Sequence, residues 1–487
     1  MRARRYAKLT IPALVPPANN SAATKYPTPY QSIGARGVNN LASKLTLAMF
    51  PPNSGFFQLD ISDFDLERAA GQQGARANID AAFGKIERAV NTRIETKGVR
   101  VKIFEATKQL IVAGNVLLYI QNDGTLRQYP LSRYVVKRDP SGNILEIITK
   151  EDISPLALTQ QVLQACGIEV KEDSPEDVIH LFTRVYKEED GTFSFYQELN
   201  GKQVPGSEGS APADELPWLP LRFIPVENED YGRSYVEECY GDLNVLESLR
   251  KAMTEGAAAA ARVLFLLKPN ATTNKKRISE APNGALVEGN VDDIGILKLD
   301  KYADFRTPFE LAQELTKSLS FTFLLNSSVQ RNGERVTAEE IRYVAEELES
   351  TLGGIYSVLS QELQLSLVKV YLLQMRKAGE VPNIPKDLVA PKITTGLSAL
   401  GRGFEMSKLD QFMAKLAPLG PEVISTYINL SDYITRMGTG LALDTDGLVR
   451  SEEEVQQAQK QQQLAQAAQA AVPNAVKGMA DHINNKP

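Results

Sequence analysis

The chain is 487 residues long, 43% apolar and 23% charged, which describes a folding chain with room for two to four packed units and excludes a disordered one. Its formal net charge of -6 argues against gripping nucleic acid over the whole surface by phosphate neutralisation, so any DNA contact must be local. No apolar run is long enough to span a membrane, and the basic start at Arg2, Arg4, Arg5 and Lys8 leads into no apolar signal core; a soluble, intracellular chain with no membrane partner is expected.

The first helical pattern lies around Gly37 to Phe50, with Val38, Leu41, Leu45 and Ala48 on one face and Pro51-Pro52 as its stop. Further helices are expected near Ile79 to Glu95 and Val99 to Val112. The period then changes to strand-like runs at Val116 to Ile120, Tyr134 to Arg138 and Ile144 to Thr149, with turns at Asp123-Gly124 and Asp139-Pro140-Ser141-Gly142. Similar runs at Val178 to Tyr186, Phe193 to Glu198 and Leu219 to Val226, with turns at Asp190-Gly191 and Asn200-Gly201, predict antiparallel hairpins. The first half therefore reads as α+β.

The centre reads as mainly helical. Ser234-x-x-Glu237 is a capping box ahead of a stripe of Val236, Leu243, Leu246 and Met253. If that helix runs to Leu267 it spans about 50 Å at about 1.5 Å per residue, the length of a shaft. After Pro269 comes a compact insert with basic Lys275-Lys276-Arg277 and short runs at Ala285 to Glu288 and Ile294 to Leu299, a small α/β tip. Thr307 as N-cap, Pro308 at N1 and Glu310 at N3 open a returning helix with Leu311, Leu315 and Leu319 in line. The polar stretch Asn326 to Arg335 reads as a loop. Thr337-x-x-Glu340 then opens a helix carrying Ile341, Val344, Leu348, Leu352, Ile355 and Leu359, kinked at Gly353-Gly354 and ended before Pro382. Shorter helical patterns follow Pro391 to about Arg450. Beyond Ser451-x-x-Glu454 lies a Gln/Ala-rich segment that is either a partner-dependent helix or a mobile tail.

Catalytic and nucleotide-binding motifs are missing. There is no G-x-x-x-x-G-K-[ST] cradle, no G-x-S-x-G elbow and no H-E-x-x-H; Cys166 and Cys239 have no metal-ligand spacing, and His180 and His482 are the only histidines. No catalytic residue, metal or cofactor is expected. Gly34-Ala35-Arg36-Gly37 at a helix start is either a structural cap or an anion site, with the cap favoured. Glu188-Glu189-Asp190 belongs at a hairpin tip as solvated charge. Lys275, Lys276 and Arg277 are either solvated surface or a docking patch. Arg331 and Arg335, bracketing Asn332-Gly333, sit on an ordinary exposed loop or contact phosphate. Gly256 and the alanines 257 to 261 give the long helix a thin side, or simply favour helix.

The order of these parts, together with the runs Tyr30 to Leu45, Gln109 to Tyr119, Tyr231 to Glu238, Asn326 to Leu365 and Thr395 to Gly403, resembles the portal (head-to-tail connector) proteins of short-tailed podophages, autographivirus-type, over nearly the whole chain. The resemblance implies an α+β, mainly helical portal-type subunit: a wing over 1–234, stem helices over 235–267 and 307–326 with a clip over 268–306 between them, a tunnel loop over 327–336, a kinked wing helix over 337–389, a crown over 390–455 and a tail over 456–487. It also implies a further N-terminal helical stretch, whereas this sequence begins close to Thr10-Ile11-Pro12.

As function, the resemblance implies a ring, a dodecamer, at one capsid vertex. Double-stranded DNA would pass through it without sequence readout, along a girdle of Arg331, Asn332 and Arg335 repeated around the channel. It implies a virion location after assembly in the host cytoplasm. The implied partners are the terminase large subunit, the tail adaptor, the major capsid protein, the scaffold and internal core proteins, with the first two docking at the clip beside Lys275 to Arg277. Two other readings share some features: a nucleotide-driven DNA translocase, which needs a phosphate cradle, and a filamentous scaffold built on the helical shaft.

Overall fold

The computed structural model describes residues 2–17, 23–52, 55–61, 75–168, 178–260, 264–297, 306–325, 350–382, 389–393 and 411–420, with isolated positions besides. Helix α1 (Arg2–Leu9) occupies the start of the chain and buries Tyr6, Ala7 and Leu9. Periodicity alone missed it, because basic residues fill its exposed side. Helix α2 (Ile33–Met49) begins four residues before the stretch expected from Gly37, and Val38, Leu41, Leu45 and Ala48 are fully buried as its pattern requires. Strand β1 (Phe57–Ile61) precedes α3 (Ala75–Thr96) and α4 (Val99–Ala113), the last closed by Gly114 at φ 77.

The α+β reading of the first half holds in detail. Strands β2 (Asn115–Ile120), β3 (Leu126–Tyr129), β4 (Tyr134–Arg138) and β5 (Ile144–Ile153) are followed by a short α5 (Gln160–Cys166). Then come β6 (Ile179–Lys187), β7 (Phe193–Leu199), β8 (Lys202–Gln203), β9 (Gly209–Ala211) and β10 (Trp218–Arg222). They form an antiparallel sheet in the order β10-β2-β3 and a second in the order β4-β5-β6-β7-β8 with β9 on β7. The turns are those the sequence spells: Gly124, Gly142 and Gly191 sit at positive φ, and Asn200-Gly201, both at positive φ, joins β7 to β8. Leu117, Tyr129, Ile147, Val185, Phe193 and Trp218 form a separate core across the two sheets.

Ser234 caps α6 (Tyr235–Glu238), its Oγ accepting from Glu237 N at 3.0 Å, and α7 (Tyr240–Ala260) continues the direction. The expected helix to Leu267 is corrected here: β11 (Leu264–Leu267) is a strand. Its Leu-Phe-Leu-Leu run has no period of its own, and antiparallel pairing with β12 (Ile294–Leu297) decides its state. The short alternating run Ala285 to Glu288 is irregular, while Lys275–Glu280 forms the short helix α8. Helix α9 (Arg306–Thr322) starts before Thr307, so Thr307 and Pro308 lie in its first turn. Of the expected stripe only Leu319 is fully buried and Leu311 is exposed, because α9 turns Ala312 and Leu319 inward.

Beyond the described end of this helix, positions 343–352 are helical where described, and Val344, Leu348 and Leu352 are buried. Gly353, at φ 54 and ψ -132, breaks the helix as the paired glycines predicted. It resumes as α10 (Gly354–Leu359), passes through a π-helical turn over Ser360–Leu365, and continues as α11 (Ser366–Lys377). Finally β13 (Val389–Ile393) pairs with β1, which brings these residues back to the first part of the chain. Pro391 is tolerated because a two-stranded sheet leaves one side of each strand unpaired. The capping boxes at Thr337 and Ser451, the alanine 261, the runs 395–403 and 456–487, and most of 394–455 lie outside the described residues.

One large core joins α1, α2, α3, α4, β2, β10, α6, the start of α7, the end of α9 and the residues from Val344 to Val381. Cys239 is buried in it, and desolvation pushes its thiol up to about 12, which keeps it protonated and unreactive at neutral pH. Cys166 is fully buried in a small third core with Leu181, Leu199 and Val204.

Candidate stem, clip and channel surfaces

Helix α2 presents one face to the end of α9. Gly37, Asn40 and Lys44 stand three and four residues apart and therefore share that face. A Cβ on Gly37 would lie 2.3 Å from Phe323 Cγ, so only glycine lets the helix and the ring meet. Asn40 Nδ2 donates to Phe323 O at 3.0 Å and Leu324 O at 2.9 Å; Lys44 Nζ donates to Leu324 O at 3.0 Å and pairs with Glu347 Oε2 at 2.7 Å. Lys44 is only 6% exposed, a position where an ammonium needs such partners. Leu324 itself adopts φ 55, and Leu325 N bonds back to Ser320 O at 2.8 Å, a helix end in which glycine is usual. The left-handed conformation costs a leucine about 1–2 kcal/mol.

The other end of α2 is anchored on α7. Glu247 accepts from Tyr30 N at 3.0 Å and Gln31 N at 3.1 Å, while Gln31 Oε1 accepts from Gly34 N at 2.9 Å. The amides of Gly34 and Arg36 are thus engaged, by Gln31 Oε1 and Ser32 O, as a structural cap requires. Helices α7 and α9 lie together, and Tyr235 Oη donates to Thr322 O at 2.9 Å beside the Tyr235–Phe323 edge contact. Outward, the same helices expose Val245, Phe309, Leu311 and Phe321.

Asp293 organises the insert between α7 and α9 that carries β11, α8 and β12. Its Oδ2 accepts from Thr273 Oγ1 at 2.8 Å, Thr272 N at 3.0 Å, Thr273 N at 3.1 Å and Thr272 Oγ1 at 3.2 Å. Donation from the Thr273 hydroxyl, then from its amide and from Thr272, holds the carboxyl below the usual aspartate range. The contribution is therefore complete at neutral pH and is lost only as pH falls through that lowered value. For Asp293→Asn we expect faster amide exchange at Thr272 and Thr273 at neutral pH, with the main core unchanged; exchange equal to wild type would show the insert to be held by other contacts.

Lys275, Lys276 and Arg277 lie together on α8, exposed, with Asn274 Oδ1 accepting from Lys276 N at 3.0 Å as its cap. Arg277 comes within 3.8 Å of Glu288, both largely exposed, a pair of little energetic weight. Around them Leu266, Leu286 and Val291 face outward. Arg331, Asn332 and Arg335 lie outside the described residues. Asn40 and Lys44, which hold the end of α9, escaped the sequence reading, as did Glu347, the partner of Lys44. A polar pair flanking the buried stripe of α2 was their available signal.

Among the described residues no group of His, Cys, Asp and Glu could hold a metal, and no helix is long and apolar enough to cross a membrane. His180 shares Asp152 with Arg133, at 2.9 Å and 2.5 Å, on an exposed sheet face, and no hydroxyl or thiol joins that pair. Buried Arg222, 9% exposed, pairs with Glu362 of the π-helical turn at 3.1 Å. It forms part of a structural network with Arg138, which donates to Gly142 O at 2.8 Å and Pro220 O at 2.5 Å.

Residues 1–449 match the family described as bacteriophage head to tail connecting protein. The portal protein of Escherichia phage T7 is 41% identical over 492 residues, covering 100% of this chain and 92% of that protein. That of Enterobacteria phage T3 is 42% identical, covering 97% and 89%, and that of Pseudomonas phage phiKMV is 29% identical, covering 99% and 95%. Among solved structures, a chain from the virion of a native gene transfer agent particle aligns with a TM-score of 0.36 at 14% identity, covering 83% of this chain and 89% of that one. The three phage relatives are named portal proteins, and the matching family is one of head-to-tail connection. The chain belongs to the bacteriophage head-to-tail connecting family: it is a podophage-type portal protein.

Proposed function

We propose that copies of this chain close into a ring, of twelve subunits, at one vertex of the capsid, and that double-stranded DNA passes along its axis during packaging, retention and ejection. The observation that carries the ring is the exposed apolar surface of α9 and of the insert before it. Phe309, Leu311 and Phe321 on the stem and Leu286 and Val291 on the tip lie open to solvent. Moreover, β11 and β12 form an isolated pair, which is marginal in water without a covering partner. A neighbouring copy turned about the ring axis meets these surfaces with its own.

In this reading α7 and α9 are the stem, the clip takes in β11 as well as 268–306, and 1–234 with 337–389 form the wing. The crown begins after Ile393. Arg331, Asn332 and Arg335 line the channel from the loop 327–336. The tip carrying Lys275, Lys276 and Arg277 docks the terminase large subunit during packaging and the tail adaptor afterwards. The motor is separate, as a chain with no phosphate cradle requires. The capsid protein, the scaffold and internal core proteins are the remaining partners, and assembly takes place in the host cytoplasm.

Electron microscopy of the purified chain tests the ring, with closed particles of twelvefold symmetry and an axial hole as the expected result and open filaments as the contrary one. Leu286→Ser with Val291→Ser should weaken each subunit contact by roughly 1–3 kcal/mol, shifting mass profiles toward monomers while the circular dichroism of the subunit stays unchanged.

A further inference from the structure

We propose that the cleft between α4 and the open edge of β3 is a docking site for an extended, acidic segment of another protein, which adds to β3 as a further strand.

Strand β3 ends the sheet β10-β2-β3, so one of its edges has no neighbouring strand. Gln121 N donates to Thr125 O at 2.9 Å, and Arg127 stands opposite Tyr119. The alternation of an antiparallel pair then turns the backbone N–H and C=O of Arg127 toward β2, and those of Leu126 and Gln128 away from it. These outward groups have no partner among the described residues. A cleft of about 560 Å³ runs along the edge, lined by Thr125, Arg127 and Gln128 on the strand side, Gln121 at the hairpin end, and Lys102 and Gln109 on α4. Lys102 and Gln109 share one face of the helix, about 10 Å apart at about 1.5 Å per residue. The 4 residues of β3 cover about 13 Å at about 3.3 Å each, so a short extended stretch of chain fits between helix and strand.

The side chains of the cleft select the occupant. Gln109 is 6% exposed; its Nε2 donates to Leu14 O at 2.9 Å, and its Oε1 has no partner. A buried acceptor calls for an N–H or O–H, which a peptide brings and a phosphate diester lacks. No carboxylate lines the cleft. Lys102 is exposed with no acidic partner among the described residues, and Arg127 pairs with the buried Glu151 at 2.7 Å. The cationic lining therefore complements an acidic segment. The brevity of β3, with Arg127 on it and Pro130 just after it, deters indiscriminate pairing, so main-chain bonds supply affinity while Lys102 and the glutamines supply choice.

The test compares the full chain as isolated protein with the same chain in filled heads. In the heads, amide exchange at Leu126 and Gln128 should slow about tenfold, while Arg127 N–H, already bonded to β2, should not change. Benzoylphenylalanine in place of Gln128 should, on illumination of the heads, crosslink to a different polypeptide at a stretch containing Asp or Glu. Lys102→Glu alters an exposed side chain and should leave the circular dichroism of the subunit unchanged while cutting the crosslink about tenfold, because it sets like charge against the segment. Equal exchange at Leu126 and Gln128 in both states would overturn the docking site. Crosslinks to a second copy of this chain or to DNA, or a yield indifferent to Lys102→Glu, would overturn the acidic protein partner.

Discussion

Gly37→Ala should destabilise the subunit by about 2 kcal/mol although alanine is the better helix former. The added methyl carbon would stand 2.3 Å from Phe323 Cγ, 2.6 Å from Cδ2 and 2.7 Å from Cβ. These atoms belong to the root of a fully buried ring, not to the tip of a side chain that can swing away. Overpacking of this kind costs about 3 kcal/mol, against about 1 kcal/mol gained in helix propensity. The change should also loosen the carbonyls of Phe323 and Leu324 from Asn40 and Lys44. Denaturant midpoints of Gly37→Ala, Phe323→Leu and the double variant check this. The double variant should recover part of the loss through coupling at a shared contact, and strict additivity would place the strain elsewhere.

The same joint explains much of what was legible in the sequence. Four of the runs by which the chain resembles its relatives touch in pairs. In Tyr30 to Leu45, Gly37, Asn40 and Lys44 receive the end of α9, and Lys44 reaches Glu347 within Asn326 to Leu365. In Gln109 to Tyr119, Asn115 exchanges two hydrogen bonds with the backbone of Gly232, which belongs to Tyr231 to Glu238. Gly114 packs against Arg233, where a Cβ would sit 2.6 Å from the backbone carbon. Such contacts allow few residue types on either side, so they survive as recognisable words. Periodicity likewise read α2 and the buried stripe Val344, Leu348 and Leu352, because each repeats over several turns.

What periodicity could not read depends on partners distant in the chain. Leu264 to Leu267 takes its state from Ile294 to Leu297, and Val389 to Ile393 from Phe57 to Ile61. The π-helical turn at Ser360–Leu365, which sends Glu362 to Arg222, has no residue signature. Asp293 looked like any acidic residue ahead of a strand until two threonines from the other side of the tip closed on it.

Arg331→Ala with Arg335→Ala should leave ring assembly intact and impair DNA retention. The subunit is acidic overall, at -6, so a ring of such chains repels a duplex from most of its surface. On the proposed channel reading, attraction comes from a few cations repeated by symmetry, Arg331 and Arg335 of every subunit among them. Phosphate contacts carry no base information, which suits a pore that must pass any sequence. Each lost contact should also flatten the salt dependence of retention, since a phosphate neutralised by arginine releases a counterion and contributes about -0.9 to the logarithmic slope. Filled heads bearing the double variant should therefore leak more at low salt and respond less to added salt than wild type. Normal packaging and retention with an unchanged salt slope would remove Arg331 and Arg335 from the channel and move the search to other basic side chains of the ring.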